Sequence, residues 1–311
     1  MPHNVPLLNR DRSVSTQDHL DIPFNNGYTV TIMMNWLEPQ FDSLFATVDG
    51  LRVHYKRAGS GTSIVLLHNS GGSLHSVQRL ADLLSTTFDV VRLDLPGFGL
   101  TGPRSDRDYR IRTYAATVAR FMARIGVSRY TVVGHSLGGN IAWNLALDYP
   151  DHVAALVLIN ATGYPEKTVP PAFRLMHNPL LRPLFRRWMP RSATARSLRM
   201  AVGSHSEIVD EAMVERVHTL TGRPGNRSAL VDLVNTDQID RSEEITRIAA
   251  PTLILRSAMI NAQRFARDIQ NSQERVHADG GHLLPEEEPD WVANAIQRFM
   301  HDLDNTCLSH K

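Results

Sequence analysis

The chain of 311 residues contains 33 Lys and Arg and 32 Asp and Glu residues, so its formal net charge is only +1. That balance excludes proteins that bind nucleic acid through an overall basic charge. A hydrophobic content of 42% excludes an intrinsically disordered chain. The single cysteine, Cys307, allows neither an internal disulfide bond nor a cysteine-based zinc site. These values are typical of a soluble, globular protein, which we expect to be cytoplasmic.

Residues 1–40 match no structural pattern well. Their most apolar part, residues 28–37 (YTVTIMMNWL), is far too short to span a bilayer and contains Asn35. The first residues lack the apolar run of a secretory signal. We interpret residues 1–40 as a poorly packed arm with a short helix or strand near its end, and we expect no integral membrane segment.

From residue 41 onward, short apolar runs alternate with longer amphipathic stretches. Residues 47–55 predict a β-hairpin around an Asp-Gly turn. Apolar, β-branched runs predict buried strands, and apolar residues at spacings of three and four predict helices. The predicted strands are 63–67, 88–93, 130–133, 153–159, 252–255 and 274–277, and the predicted helices are 77–84, 113–125, 137–147 and 291–299. This alternation predicts an α/β fold, with a mostly parallel sheet covered by helices on both faces.

The alternation is interrupted over residues 163–249, where no strand is predicted. We interpret this proline-rich stretch as a helical cap inserted between the two parts of the core, residues 41–162 and 250–302, with 303–311 as a frayed tail. Residues 162–200 contain Lys167 and seven arginines, and Glu166 is their only acidic residue. We interpret these basic side chains as a solvated outer face. A membrane or polyanion site, or arginines turned toward an acidic substrate, are the alternatives.

Apolar residues of the predicted cap recur at helical spacing on what would be its opposite face. They are Phe173, Met176, Leu180, Leu184 and Trp188. This pattern predicts an apolar surface that receives an acyl or ring portion of a substrate.

The motif most specific for function is residues 134–139 (GHSLGG), which follows a predicted strand and precedes a predicted helix. A sharp turn between strand and helix leaves little room for side chains, which suits glycine at positions 134 and 138. Such a turn presents the Ser136 hydroxyl at the edge of the sheet, beside the helix N-terminus. We interpret Ser136 as a nucleophile and the backbone N–H of Leu137 as one donor of an oxyanion hole.

A serine hydroxyl needs a base to accept its proton, so a histidine is expected near the same edge of the sheet. Of the 14 histidines, His282 fits best, because it follows the last predicted strand and two glycines that allow a tight loop. A second oxyanion donor is expected in residues 68–73 (HNSGGS), where the backbone can approach a substrate closely. The predicted lining of the substrate pocket is His68, Asn69, His135 and Trp188.

Over about residues 45–300 these motifs resemble those of the α/β-hydrolase family. The similar segments are VDGLRVHY (48–55), LLHNSGGS (66–73), LDLPGFGLTGP (93–103), GHSLGG (134–139), PTLIL (251–255) and GGHLLPEEEP (280–289). The resemblance implies an α/β-hydrolase fold, Ser136 as nucleophile, His282 as base, and the N–H groups of Ser70 and Leu137 as the oxyanion hole. Asn69 is a mild departure, because glycine is common there. Members that open epoxides or displace halide carry aspartate where this chain has Ser136.

The chain departs from the family pattern where the third triad residue, an acid, is usual. The expected position, in the loop after the predicted strand 252–255, is Ile260, and the segment from there to His282 is several residues short. The nearest carboxylates in sequence, Asp268 and Asp279, fit the role poorly.

An amide could orient the imidazole without supplying charge, and Asn261 and Asn160 are the candidates. Three interpretations therefore stay open. The chain is a serine hydrolase with a relocated or substituted acid, a slowed or degenerate hydrolase, or a module that binds a hydrophobic ligand or performs non-hydrolytic chemistry.

We favour a serine hydrolase that acts on a small, partly apolar ester or related acyl substrate through an acyl-enzyme. The expected partner is a small molecule rather than a nucleic acid, with no metal and no organic cofactor. No oligomeric state is predicted.

Overall fold

The computed structural model describes residues 19–23, 29–33, 35–165, 171–260 and 263–309. Contacts divide the chain into two units, residues 1–35 and 36–311. In the first unit, strands β1 (His19–Pro23) and β2 (Thr29–Met33) pair antiparallel. Of the short helix or strand expected near the end of the arm, the structure has a strand, β2, in a two-stranded sheet with β1.

The second unit contains a mostly parallel sheet in the order β10-β9-β8-β7-β5-β6-β4-β3, eight strands within the described residues. The strands are β3 (Leu44–Val48), β4 (Leu51–Ala58), β5 (Ser63–Leu67), β6 (Asp89–Leu93), β7 (Tyr130–His135), β8 (Val153–Ile159), β9 (Thr252–Ser257) and β10 (Ser272–His277). Strand β4 pairs antiparallel with β3 and β6, and the other pairs are parallel. The predicted α/β fold class is confirmed.

Helices connect the parallel strands. They are α1 (Gln78–Leu84), α2 (Ile111–Arg124), α3 (Leu137–Asp148), α4 (Pro171–His177), α5 (Arg182–Arg187), α6 (Arg191–Ala201), α7 (Glu211–Gly222), α8 (Asn226–Asn235), α9 (Phe265–Asp268), α10 (Leu284–Glu287) and α11 (Pro289–Ser309). Helix α11 continues through the predicted tail because neither glycine nor proline interrupts its sequence after Pro289. No described helix is long and apolar enough to cross a membrane.

Each face of the sheet buries its own hydrophobic core. Alternate residues of β5 point to opposite faces, so that Val65 packs with α2 and α3 while Ile64 packs with α1 and α11. This two-sided burial explains why the sequence of β5 is apolar at every position after its first.

The carboxyl ends of the parallel strands bring the predicted functional loops to one edge of the sheet. Residues 68–73 follow β5, Ser136 follows β7, Asn160 follows β8, and residues 278–283 follow β10. This is the edge at which ligands bind in open α/β sheets. Helices α4–α8 lie between β8 and β9 in the chain, and we call residues 163–249 the cap segment.

Candidate active site

The turn at Ser136 has strained backbone geometry. Ser136 adopts φ 53° and ψ −108°, and its N–H donates to the carbonyl of Ile159 at 3.0 Å. A Cβ atom on Gly134 would lie 2.2 Å from the carbonyl oxygen of Gly138, and one on Gly138 would lie 2.2 Å from that of Leu67. Both glycines are therefore required by close backbone contact, and they hold the serine at the end of β7.

The imidazole of His282 lies against the serine hydroxyl. Its Nε2 is 3.0 Å from Ser136 Oγ, a hydrogen-bonding distance across 146 positions of sequence. Burial lowers the pKa of His282 to about 4, because desolvation disfavours the charged imidazolium. The neutral ring that dominates at pH 7 can accept the serine proton.

The backbone around His282 is held by the end of the cap segment. The N–H of His282 donates to the carbonyl of Ala201, at the end of α6, at 2.6 Å. The carboxylate of Glu287 accepts from the N–H of Gly203 at 2.7 Å and from the N–H of Gly281 at 3.1 Å. A Cβ atom on Gly281 would lie 2.3 Å from the nitrogen of Gly203. The histidine loop and the end of α6 thus form one closely packed unit.

Asn160 holds the same loop from the other side. Its Nδ2 donates to the carbonyls of Gly281 at 3.1 Å and His282 at 3.0 Å, and its Oδ1 accepts from the N–H of Ser257 at 2.9 Å. The ring Nε2 of His135 also donates to the carbonyl of His282, at 2.7 Å. Asn160 therefore contacts the backbone of His282 rather than its ring, in contrast to the prediction. Asn261 lies outside the described residues.

Within the described part of the chain, Ser136 is the only hydrogen-bond partner of the His282 imidazole. The carboxylate of Asp268 accepts from the hydroxyl of Tyr164 at 2.9 Å and pairs with Arg267, whereas Asp279 is exposed. Neither carboxylate is hydrogen-bonded to the His282 imidazole in the part of the chain that the structure describes. Ile260 stands in the loop after β9 as expected.

A further acid near the histidine, Glu286, is engaged with the cap segment. Its carboxylate accepts a hydrogen bond from the guanidinium of Arg216, on α7, at 2.7 Å. Burial raises the pKa of Glu286. This ion pair is a second link between the histidine side of the core and the cap segment.

The two predicted oxyanion donors are unengaged in the structure. Neither Ser70 N–H nor Leu137 N–H donates a hydrogen bond to a described residue. Leu137 begins α3, where backbone N–H groups have no partner within the helix. Gly71, at φ 86°, makes the tight turn of residues 68–73.

His68 is hydrogen-bonded within the loop of residues 68–73 and does not line a pocket, in contrast to the prediction. The ring is fully buried, with Nδ1 donating to the carbonyl of Asn69 at 2.8 Å and Nε2 accepting from the N–H of Leu95 at 3.0 Å. Burial lowers the pKa of His68. The side-chain carbonyl of Asn69 is buried and has no hydrogen-bond partner among the described residues, and a Cβ atom on Gly72 would lie 2.3 Å from it.

Two predicted pocket residues lie elsewhere. Trp188 is 57% exposed. The apolar residues of this region that pack against the core are instead Phe173, Met176, Phe185 and Met189. His135 is buried, and burial lowers its pKa to about 3. Its ring serves the His282 loop. A narrow cavity beside Gly72 is instead lined by Phe98 and by residues of α7 and α8.

The described residues contain no group of three or more His, Cys, Asp and Glu side chains that could hold a metal ion.

Comparison with known proteins places this geometry among hydrolases. Residues 62–289 match the family described as alpha/beta hydrolase fold. An uncharacterized hydrolase of Bacillus subtilis, YugF, is 27% identical over 268 residues, which cover 82% of this chain and 96% of that protein. A 2-hydroxy-6-oxononadienedioate/2-hydroxy-6-oxononatrienedioate hydrolase of Burkholderia vietnamiensis is 30% identical over 220 residues, 66% of this chain and 73% of that protein.

Among solved structures, Cfl2 of Burkholderia cenocepacia superposes with a TM-score of 0.74 at 25% identity. The superposition covers 83% of this chain and 95% of that one. The similarity therefore spans most of the second unit of this chain.

Proposed function

Because the chain belongs to the α/β-hydrolase family, we propose that it is a serine hydrolase that cleaves a small ester or related acyl substrate through an acyl-enzyme. The observation that carries this proposal is the 3.0 Å contact between His282 Nε2 and Ser136 Oγ. A hydroxyl and a neutral imidazole at this distance form the proton-transfer pair of nucleophilic catalysis.

In the proposed reaction, Ser136 Oγ gives its proton to His282 Nε2 and attacks the carbonyl carbon of the substrate. The resulting oxyanion receives hydrogen bonds from the free N–H groups of Ser70 and Leu137. The imidazolium then protonates the leaving alkoxide, and the ester bond breaks. A water molecule, deprotonated by His282, hydrolyses the acyl-enzyme and restores the serine hydroxyl.

The imidazole is held through its backbone instead of through an acid on Nδ1. Ala201, Asn160 and His135 bind the peptide groups of His282, so the loop is ordered although no described carboxylate touches the ring. The charge of an acid is not replaced by these contacts. In serine proteases its loss costs about 10⁴-fold in rate. We infer a slow hydrolase.

The substrate class follows from the site and from the relatives. The Burkholderia vietnamiensis relative is named as a hydrolase of 2-hydroxy-6-oxo-dienedioates or trienedioates. The 6-oxo group of such a compound, like an ester, offers a carbonyl carbon to a serine nucleophile. The cavity beside Gly72 is lined mainly by apolar groups, including Phe98, Leu220 and Leu230. These residues place apolar groups beside the predicted oxyanion loop, residues 68–73.

A second candidate is a module that binds a hydrophobic ligand without turnover. It is favoured by the missing acid and by the low pKa of His282, about 4, which makes the imidazole a weak base.

Labelling with a fluorophosphonate probe distinguishes the two candidates. We expect stoichiometric labelling of the wild-type protein, none of Ser136→Ala, and strongly slowed labelling of His282→Ala. Ser128→Ala, at an exposed serine, is the matched control and should label normally. A wild-type protein that binds apolar ligands but does not label within hours would support the binding module.

A further inference from the structure

Helices α4 and α5 of the cap segment and the residues beside them expose large apolar side chains. Leu184 on α5 is 52% exposed, and Leu180 and Trp188, which flank the two ends of α5, are 86% and 57% exposed. Leu175 on α4, which contacts α5, is also 52% exposed. Scattered exposed apolar residues are ordinary, but several large ones within one short stretch mark an interaction surface.

Packing of the cap segment does not need these side chains. Phe173, Met176, Phe185 and Met189 already supply the apolar contacts of α4 and α5 with the core. The exposed leucines and Trp188 are not among the residues that pack against this core.

Four arginines on α4, α5 and α6 are exposed and lack an ion-pair partner among the described residues. They are Arg174, Arg187, Arg196 and Arg199. Two other arginines of the cap segment form ion pairs: Arg186 pairs with Asp232, and Arg191 pairs with Glu211 and Glu215. These four arginines thus lie on α4, α5 and α6, in the same part of the chain as the exposed side chains from Leu175 to Trp188.

We propose that helices α4–α6 dock on the surface of a bilayer that contains anionic phospholipids. A surface with leucine and tryptophan beside arginine suits the boundary between head groups and acyl chains, where apolar groups insert and cations meet lipid phosphates. Tryptophan is enriched at this depth of membranes. Helices of 7, 6 and 11 residues are too short to span a bilayer, so the docking is peripheral.

Charge distinguishes this occupant from a second copy of the chain. A symmetric dimer through this face would bring the unpaired arginines of both copies together, which like-charge repulsion opposes. A bilayer with anionic lipids supplies the opposite charge and an apolar layer at once.

The test is sedimentation with vesicles of phosphatidylcholine alone and of phosphatidylcholine mixed with phosphatidylglycerol, using Ser136→Ala so that no lipid is hydrolysed. We expect binding to the mixed vesicles and little to phosphatidylcholine. The triple variant Leu180→Ser, Leu184→Ser, Trp188→Ser should lower the partition coefficient at least about tenfold. Phe41→Ser, at a fully exposed aromatic outside the cap segment, is the matched control and should bind normally.

A charge series tests the electrostatic part. Removing Arg174, Arg187 and Arg199 singly as Gln variants should weaken binding by about fivefold each. Arg124 and Arg129 lie outside the cap segment, are exposed and form no ion pair within the described ranges, so they should tolerate the same change. Because all these side chains are exposed, circular dichroism of every variant should match the parent.

Three results would overturn the proposal. They are no sedimentation with the mixed vesicles, equal losses in the cap and control variants, and self-association that the triple variant abolishes without any vesicle binding. Because the assay uses Ser136→Ala, failure here leaves the proposed hydrolase function untouched, and failure of fluorophosphonate labelling leaves this proposal untouched.

Discussion

The contacts of Glu287 suggest how this site positions a histidine without an acid on its ring. One carboxylate accepts from Gly203 N–H and Gly281 N–H, and so joins the cap segment to the residue before His282. Charge-assisted hydrogen bonds of this kind are about twice as strong as neutral ones. Glu287 is thus a positioning residue, and nothing in its local sequence distinguishes it from the neighbouring Glu286 and Glu288.

We predict that Glu287→Ala lowers kcat by about tenfold to a hundredfold with little change in KM, because misplacing a catalytic group acts on the chemical step. Glu287→Gln keeps an acceptor oxygen and should recover a large part of this loss. Steady-state kinetics on a soluble ester provide the measurement. The exposed Glu243→Ala is the control. A Gln variant as impaired as the Ala variant would show that Glu287 has only a general stabilising role.

The pH dependence of kcat/KM should report the buried imidazole. Burial lowers the pKa of His282 to about 4, so the neutral base is lost only as the pH falls toward that value. We therefore expect kcat/KM to stay level from neutral pH downward and to decline well below the ordinary histidine pKa of about 6.5. A pH–rate profile with a non-ionising ester is the measurement. A decline centred at about 6.5 or above would mean that an undetected negative charge stabilises the imidazolium.

At the scale of elements, the loop after β9 is where the chain lacks the acid that its resemblance to the family predicts. It passes from Ser257 to Ile260 without a carboxylate, and α9 begins soon afterwards at Phe265. The amide network of Asn160 occupies the region between the ends of β8 and β9 and the histidine loop.

We predict that lengthening this loop to the family length, with Asp in place of Ile260, raises kcat and moves the acidic limb of kcat/KM to higher pH. A carboxylate near Nδ1 favours the imidazolium and therefore raises the pKa of His282. The same lengthened loop with Asn at that position is the control, because it lacks the charge. Equal rates for the Asp and Asn loops would show that the lost acid does not limit turnover.

Sequence patterns predicted the elements of the core well, because each carries a local signal. Strand β8 has the predicted bounds, since a continuous apolar run admits only a strand buried on both faces. The elbow at Ser136 was also predictable, because glycine is required at positions where a Cβ would collide with backbone. The cap segment was predicted less well. Leu180, Leu184 and Trp188 share a helical spacing with Phe173, but several short helices separated by prolines do not keep one common face.

The contacts that hold His282 have no signal in the sequence, because they join distant segments. Ala201 and His282 are linked through backbone atoms, which any side chain would permit. Asn160 was identified as a candidate for orienting the ring, whereas its amide binds the carbonyl of His282. The sequence indicated that this amide lies near His282, and only the folded geometry shows which atoms of the loop it contacts.

At the scale of the whole molecule, buried histidines make stability depend on pH. Burial lowers the pKa of His68, lowers that of His135 to about 3, and lowers that of His282 to about 4. In the unfolded chain each titrates near its ordinary pKa of about 6.5. The unfolded state therefore binds more protons below that pH, and the stability contributed by each neutral ring is lost as the pH falls from about 6.5 toward the folded pKa. Burial raises the pKa of Asp94, but its hydrogen bond with His54 outweighs burial and the pKa is lowered to about 2. Asp94 therefore affects the pH dependence of stability only below its ordinary pKa of about 3.9.

We predict that the free energy of unfolding falls by several kcal/mol between about pH 7 and pH 4, since each pKa unit corresponds to about 1.4 kcal/mol. Urea unfolding curves at successive pH values provide the measurement. His135→Asn keeps an N–H donor for the carbonyl of His282 but cannot titrate, so its stability should fall less steeply, even if the variant is less stable at neutral pH. His205→Asn, at an exposed histidine, should leave the slope unchanged. Equal slopes for both variants and the wild type would instead attribute the acid sensitivity to the other histidines with lowered pKa values, His68 and His282.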